Sequence, residues 1–315
     1  MRVAFVGKGG SGKTSLSAVF VRLLEQQGHP VLAIDADINQ HLGMSFGLSQ
    51  TEAERIPQMG NALREIKRYL RGTNPRILHE DQMLKTTPPG TGSNVLYLQQ
   101  PNHIWDTFAQ KIGGIQLLVT GQFEHEDIGI KCYHAKTGAV ELLLNHIVDG
   151  AGEYVVVDMT AGADAFASGL FTRFDLTCIV VEPTQKSIGV YHQYAAFAEE
   201  YGVKLAVVAN KIQDASDIEF ITQQTKQIPL AVIPYSQGIA RSERDGLIPL
   251  EQIESSVVEG LQQIRAELDR TQKNWPRFLE QAKHFHIKNA LSWGNVSTGQ
   301  DVTHQIDPDF IYPSV

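Results

Sequence analysis

Eight consecutive residues near the start of the chain have the types and spacing that bind nucleotide phosphates. The run is Gly7-Lys8-Gly9-Gly10-Ser11-Gly12-Lys13-Thr14, followed by Ser15. Glycines let a backbone curl so that successive N–H groups face phosphate oxygens. Lys13 is spaced to reach the β- and γ-phosphates, and the Thr14 hydroxyl is suited to Mg²⁺. The run therefore predicts a site for a nucleotide and its magnesium ion.

Three aspartates are placed to complete such a site. Asp35 and Asp37 close a predicted strand at 31–35, and Asp158 ends the apolar run Val155-Val156-Val157. Ligands of parallel sheets lie beyond the carboxyl ends of the strands, so these side chains are expected near the glycine-rich loop. Unpaired carboxylates there repel each other and the phosphates unless a cation and water lie between them. An aspartate at the end of a strand can also be a simple turn residue.

The elements that must position these residues alternate along the chain. Apolar runs, several of them rich in Val and Ile, alternate with amphipathic stretches, which predicts an α/β fold with a doubly wound, mostly parallel sheet flanked by helices. A helix follows the glycine-rich loop and ends at Gly28, and another spans 251–270. The predicted strands are 2–6, 31–35, 95–99, 116–120, 154–158, 177–182, 204–209 and 229–233. Residues 41–94 and 121–138 depart from the alternation, and 50–71 is expected to be partly helical.

Composition narrows the classes of function. The 315 residues carry a formal net charge of −8, which argues against general binding of nucleic acid. Cys132 and Cys178 are too few for a disulfide framework, and Cys178, inside a predicted strand, is expected in the core. The chain starts without the pattern of a signal peptide, and no apolar run approaches the ~20 residues that span a bilayer. We therefore expect a soluble, cytoplasmic protein without membrane insertion.

The second lysine of the loop carries a family resemblance. Lys8 directly follows Gly7, and this arrangement resembles the deviant Walker A motif of the SIMIBI ATPases, the MinD/ParA superfamily. In that family the first lysine crosses to the nucleotide of an opposing subunit. The resemblance implies that ATP holds two copies of the chain together as a homodimer and that slow hydrolysis converts it to ADP. A lysine at this position could instead be a solvated loop charge.

The same resemblance assigns roles to the other residues. It implies that Lys8, Lys13 and Asp37 are catalytic, with Asp37 orienting the attacking water. It places Thr14, Asp35 and Asp158 around Mg²⁺, directly or through water. The sequence Asp158-Met159-Thr160-Ala161-Gly162 also resembles a motif of the family. After the strand at 204–209, Asn210-Lys211 resembles the adenine-side pair, and asparagine offers the donor and acceptor that adenine needs. A weaker match at Ile233-Pro234-Tyr235 could equally be a turn.

Within this superfamily the chain resembles the CooC-like ATPases that insert nickel into carbon monoxide dehydrogenase. Those proteins carry Cys-x-Cys before the helix that precedes the Walker B strand, whereas this chain has Cys132-Tyr133-His134. Two copies would supply two thiolates and two imidazoles, an acceptable tetrahedral set for Zn²⁺ or Ni²⁺. The alternative is an isolated cysteine and histidine in a loop.

Two functions follow from these features. The first is an ATPase of metallocentre maturation with a client metalloenzyme, and the alternative is a MinD/ParA-like positioning or partition ATPase with a protein partner and no metal cargo. The acidic chain and its final residues, which are neither basic nor helical in pattern, do not favour membrane or DNA binding. Residues 1–270 are expected to form the ATPase domain, and 271–315, where periodicity is lost, a C-terminal extension.

Overall fold

An eight-stranded sheet forms the centre of the protein in a computed structural model that describes residues 1–122, 133–160, 166 and 169–314. Its strand order is β10-β9-β8-β1-β7-β2-β5-β4, and every pairing is parallel except that of β4 with β5. The strands are β1 (Arg2–Gly7), β2 (Val31–Ala36), β3 (Leu96–Tyr97), β4 (Gln110–Ile112), β5 (Ile115–Val119), β6 (Ile147–Val148), β7 (Tyr154–Met159), β8 (Leu176–Val181), β9 (Leu205–Ile212) and β10 (Ala231–Pro234). The predicted fold class is confirmed.

Helices cover both faces of this sheet. Val3 and Phe5 of β1 pack into one apolar cluster and Ala4 and Val6 into the other, because successive side chains of a strand point to opposite faces. The helices are α1 (Lys13–Gln26), α2 (Leu42–Ser45), α3 (Gln50–Glu54), α4 (Leu63–Arg71), α5 (His103–Phe108), α6 (Tyr133–His146), α7 (Gln185–Glu200), α8 (Ala215–Thr225), α9 (Gln237–Asp245), α10 (Ser255–Arg270), α11 (Trp275–Asn289) and α12 (Asn295–Thr298). In the part of the chain that the structure describes, none of the helices combines the length and apolarity needed to cross a bilayer.

Most of the predicted elements are present, with one clear exception. The helix after the glycine-rich loop ends where expected, with Gly28 at a φ of 80°. The helix predicted at 251–270 is present as α10, which ends at Arg270 but begins at Ser255. The strand predicted at 95–99 is wrong as a member of the main sheet, since only Leu96–Tyr97 is extended and it pairs with β6. The edge of the main sheet beside β5 is taken instead by β4, through a tight turn at Gly113.

The C-terminal segment is more regular than its sequence suggested. Loss of periodicity was expected beyond residue 270, but α11 is a fifteen-residue helix, capped by the Asn274 side chain with Pro276 in its first turn. It buries Phe278, Ala282 and Phe285 at helical spacing. A π-helical turn, Ala290–Gly294, connects it to α12. Phe278 and Phe285 therefore lie on the core-facing side of a helix.

This segment closes the amino end of the sheet. The Arg2 guanidinium lies 5.2 Å from the Trp275 ring centre and 5.3 Å from that of Phe278, and its Nε donates to Asp149 at 2.7 Å. Lys273 Nζ pairs with Asp149 at 2.7 Å and with Asp175 at 2.8 Å. Because these charges are buried and paired, the extension is part of the same packed body as the sheet.

We expect Phe278→Ala to lower the free energy of unfolding by about 3–5 kcal/mol, since it empties a fully buried aromatic site. Denaturant titration followed by circular dichroism measures this loss. Leu291→Ala is the matched control, because Leu291 is 70% exposed and its removal should change stability little. Equal effects of the two substitutions would mean that α11 is not part of the folded core.

Candidate nucleotide-binding site

The glycine-rich loop curls between β1 and α1 because its glycines adopt backbone conformations that other residues avoid. Gly7, Gly10 and Gly12 have φ angles of 151°, 84° and 93°. A β-carbon on Gly7 would lie 2.6 Å from the Val180 carbonyl oxygen, and one on Gly12 would collide with the Asn210 amide. These glycines hold the loop in a tight curve over the start of α1, where helix N–H groups face outward.

The two lysines of the loop lie in different environments. Lys13 is buried, and its Nζ is 2.5 Å from Asp37 Oδ2. Burial opposes the charge of Lys13, but the nearby carboxylates of Asp158 and Asp37 outweigh it and raise the pKa of this ammonium group. The side chain of Lys8 is one-third exposed, and its Nζ donates to the Gly9 carbonyl at 2.9 Å. Only Lys13 therefore belongs to the carboxylate cluster of its own chain.

The aspartates predicted from the strand ends come together beside Lys13. Asp35 and Asp158 are opposite each other in the pairing of β2 with β7. Burial raises the pKa of Asp158 to about 7 although Lys13 and the Thr14 hydroxyl, 2.6 Å away, counteract the shift. Burial, and then the Asp158 charge, raise the pKa of Asp35 well above its ordinary value, although the Leu42 and Asp37 N–H groups donate to it.

This arrangement fits a magnesium ion. Asp158 Oδ1 is buried without a hydrogen-bond partner, which is costly unless a cation or an ordered water completes it. Among the described residues, three buried carboxyl groups face a single buried ammonium group, so their full ionisation requires a further cation. Carboxylate and hydroxyl oxygens are the ligands that Mg²⁺ accepts. Thr14 and Asp158, with Asp35 behind them, are the residues of this chain suited to hold it.

A cavity of about 400 Å³ adjoins the loop on the side of β9 and α9. Asn210 Nδ2 donates to the Ser11 carbonyl at 2.8 Å, and Lys211 Nζ donates to the Gly10 carbonyl at 2.6 Å. Lys211 has a φ of 59°, unusual for a residue with a side chain. The volume suits a nucleoside beside the phosphate loop. The lining residues include Thr14, Ser15, Asn210, Lys211, Pro234, Tyr235, Ile239 and Glu243.

Helix α9 supplies residues that the sequence did not single out. Glu243 lines the cavity and accepts a hydrogen bond from the Ser15 hydroxyl. Ser236 caps α9 by accepting from the Ile239 N–H at 2.9 Å, which fixes the helix beside Pro234 and Tyr235. Ser236 could have been recognised from its residue type as a helix cap. Nothing local in the sequence related Glu243 to Ser15, which is 228 positions away.

The residues predicted for a transition metal are not all described. Cys132 lies outside the described residues, as does the side chain of His134, whose backbone is in α6. Ala161-Gly162, from the family resemblance that begins at Asp158, also lie outside them. Within the described ranges, no group of three or more His, Cys, Asp or Glu could hold a metal ion by itself. Cys178 is fully buried in β8, which confirms its prediction as a core residue.

Comparison with known proteins decides the family. Residues 3–250 match the model of the CobQ/CobB/MinD/ParA nucleotide binding domain. The chain belongs to this family. The CobQ/CobB/MinD/ParA assignment confirms the resemblance that the two-lysine loop suggested, and the matched residues include that loop.

Two curated relatives and two solved structures are similar over most of their lengths. An uncharacterized ATP-binding protein of Methanocaldococcus jannaschii is 31% identical over 77% of this chain and 88% of its own. The carbon monoxide dehydrogenase accessory protein CooC of Rhodospirillum rubrum is 30% identical over 78% and 88%. MinD of Pyrococcus horikoshii with Mg-ADP has a TM-score of 0.55 at 15% identity, covering 85% of this chain and 96% of that one. The MinC:MinD complex of Aquifex aeolicus gives 0.53 at 20% identity, covering 84% and 95%. These two structures support the fold.

We expect Asp158→Asn to stabilise the nucleotide-free protein at pH 8. The pKa of Asp158 is about 7 in the folded protein and close to its ordinary 3.8 when unfolded. The folded state therefore binds an extra proton between these values, and the wild-type free energy of unfolding falls as the pH rises from about 4 to about 7. Asparagine removes this dependence. The melting temperature in a chelating buffer should exceed the wild-type value by a few degrees at pH 8 and match it near pH 4.

The same variant should lose the rise in melting temperature that Mg²⁺ and ATP produce in the wild type. A melting temperature of Asp158→Asn below that of the wild type at pH 8 would contradict the electrostatic account, because it would show that the Asp158 charge stabilises the empty site.

Proposed function

We propose that this protein is a Mg²⁺-ATP-dependent switch that works as a homodimer and hydrolyses ATP slowly. The observation that carries the proposal is the separation of the two lysines. Lys13 pairs with Asp37 in the site of its own chain, whereas Lys8 lies outside that cluster with a partly exposed ammonium group. A second copy that faces the loop would give Lys8 a phosphate to bind, as the family resemblance implies.

The contacts around Lys13 define what nucleotide binding must change. The γ-phosphate competes with Asp37 for Lys13, since the ammonium group is bonded to Asp37 at 2.5 Å. Once released, the Asp37 carboxylate is placed to accept a hydrogen bond from water and orient it toward the γ-phosphorus. Lys13, and Lys8 from the second copy, would offset the charge that develops on the transferred group. Bound through Thr14 and Asp158, Mg²⁺ would supply electrostatic stabilisation of the phosphates.

We further propose that the switch serves maturation of a metallocentre. Support comes from the 30% identity to the CooC accessory protein over 88% of its length. Cys132 and His134 from two copies would form a shared Zn²⁺ or Ni²⁺ site that delivers its ion to a client metalloenzyme in the cytoplasm. A MinD/ParA-like positioning ATPase is the alternative, but the likeness to MinD, at 15–20% identity, concerns the fold.

Lys8→Ala and Lys13→Ala should have different effects. Lys13→Ala removes the ammonium group beside the phosphate positions of its own chain and should weaken ATP binding by at least ten-fold. Lys8→Ala should bind ATP within about two-fold of the wild type but fail to dimerise with Mg²⁺ and a non-hydrolysable ATP analogue. Fluorescent-nucleotide titration and sedimentation velocity measure the two properties. Normal dimerisation of Lys8→Ala would contradict the proposed role in trans.

Metal content tests the maturation role separately. We expect the purified protein with ATP to bind about one Zn²⁺ or Ni²⁺ per dimer, and Cys132→Ala to bind none, because each copy supplies a single thiolate. Cys178→Ala is the matched control, since that thiol is buried in β8 and should not affect metal binding. Absence of metal from the wild type with and without ATP would leave an ATP switch with a protein partner.

A further inference from the structure

A single carboxylate, that of Glu182, contacts two partly exposed lysines: Lys8 within the glycine-rich loop and Lys211 beside it. Its Oε1 is 2.8 Å from Lys211 Nζ and its Oε2 is 3.7 Å from Lys8 Nζ, so each oxygen faces one ammonium group. Lys211 also donates to the Gly10 carbonyl at 2.6 Å. The three side chains thus tie the end of β8, the end of β9 and the loop together.

The Glu182 side chain is less exposed than that of either lysine, and its backbone is held in place. It is 15% exposed, against 33% for Lys8 and 41% for Lys211. Its backbone N–H donates to the Ser187 hydroxyl at 3.0 Å, and Thr184, two residues on, caps α7. Pro183 follows directly and restricts the backbone further. Because its backbone is held and its side chain is mostly buried, Glu182 offers the two longer, more exposed lysine side chains a carboxylate at a defined position.

We infer that Glu182 is a positioning residue that docks Lys8 on its own chain until a second copy offers a phosphate. This inference rests on the proposed role of Lys8 in the dimer. Lys8 leaves the carboxylate when it crosses to the partner nucleotide, while Lys211 stays bonded to Glu182 and Gly10. The carboxylate therefore keeps its neutralising partner throughout, and the docked contact of Lys8 is the one that dimerisation must break.

The size of the effect follows from exposure. Partly exposed ion pairs contribute little, so loss of the docked contact should change an equilibrium by about two- to five-fold. A phosphate attracts Lys8 more strongly than this contact does, so the docking weakens dimerisation without preventing it. Glu182 thereby raises the protein concentration that is needed for dimerisation in the presence of ATP.

Amine acylation of the nucleotide-free protein tests the docking directly. Glu182→Gln keeps the size of the side chain and removes its charge, so the Lys8 amine should react with a succinimidyl acetate about two- to five-fold faster, as measured by peptide mass spectrometry. Lys204, paired with Glu267 at 2.6 Å, is the internal reference. Glu267→Gln is the matched variant and should accelerate Lys204 but not Lys8. An unchanged rate at Lys8 in Glu182→Gln would overturn the inference.

Sedimentation velocity with Mg²⁺ and saturating non-hydrolysable ATP analogue tests the consequence. Glu182→Gln should dimerise with a Kd two- to five-fold lower than the wild type, and the gain should vanish in Lys8→Ala. An unchanged Kd, or the same gain without Lys8, overturns the inference. The two proposals can also fail separately. If the wild-type protein stays monomeric but Glu182→Gln accelerates acylation of Lys8, the proposed dimer is refuted and the docking of Lys8 on Glu182 is supported.

Discussion

The charge imbalance at the carboxyl end of the sheet is the constraint on which the site depends. Asp35, Asp37 and Asp158 face a single ammonium group, that of Lys13, in a region closed to solvent. Burial raises the pKa of Asp35 and of Asp158, and the charges of neighbouring carboxylates raise them further. A divalent cation compensates the carboxylates, and the phosphates of a nucleotide then become attractive. The cluster is therefore suited to a divalent cation and a nucleotide together, as the proposed function requires.

The topology of the sheet creates this cluster. β1 lies between β7 and β8, and β2 is the next strand beyond β7, so the loop that follows β1 is flanked by the ends of strands far apart in the chain. The register pairs Asp35 with Asp158 across β2 and β7. On the other side, the ends of β8 and β9 present Glu182 and Asn210 to the loop. One crossover order thus places the residues proposed for the cation and those proposed for the base on opposite flanks of the loop.

Much of this was predictable because the signals are local. The glycine spacing of the loop, the aspartates after apolar strands and the Asn210-Lys211 pair are each readable within a few residues, and the structure brings them together. Glu243 and Glu182 could not be predicted, because their contacts with Ser15 and Lys8 depend on how helices and strands from distant segments pack. Helix α11 was not predicted although Phe278, Ala282 and Phe285 have helical spacing, because the rest of 271–315 shows no such period. The roles of the site residues and the metal role of Cys132 stay predictions.

The burial of Cys178 has a practical consequence for the chemistry of the other thiol. Its side chain lies within β8 with no exposure, and burial raises its pKa far above the ordinary value, so it is neither accessible nor ionised at neutral pH. The chain has two cysteines. Any reaction of the native protein with a maleimide or a disulfide reagent must therefore occur at Cys132. A thiol-reactive spectroscopic label would consequently report on one defined position without removal of the second cysteine.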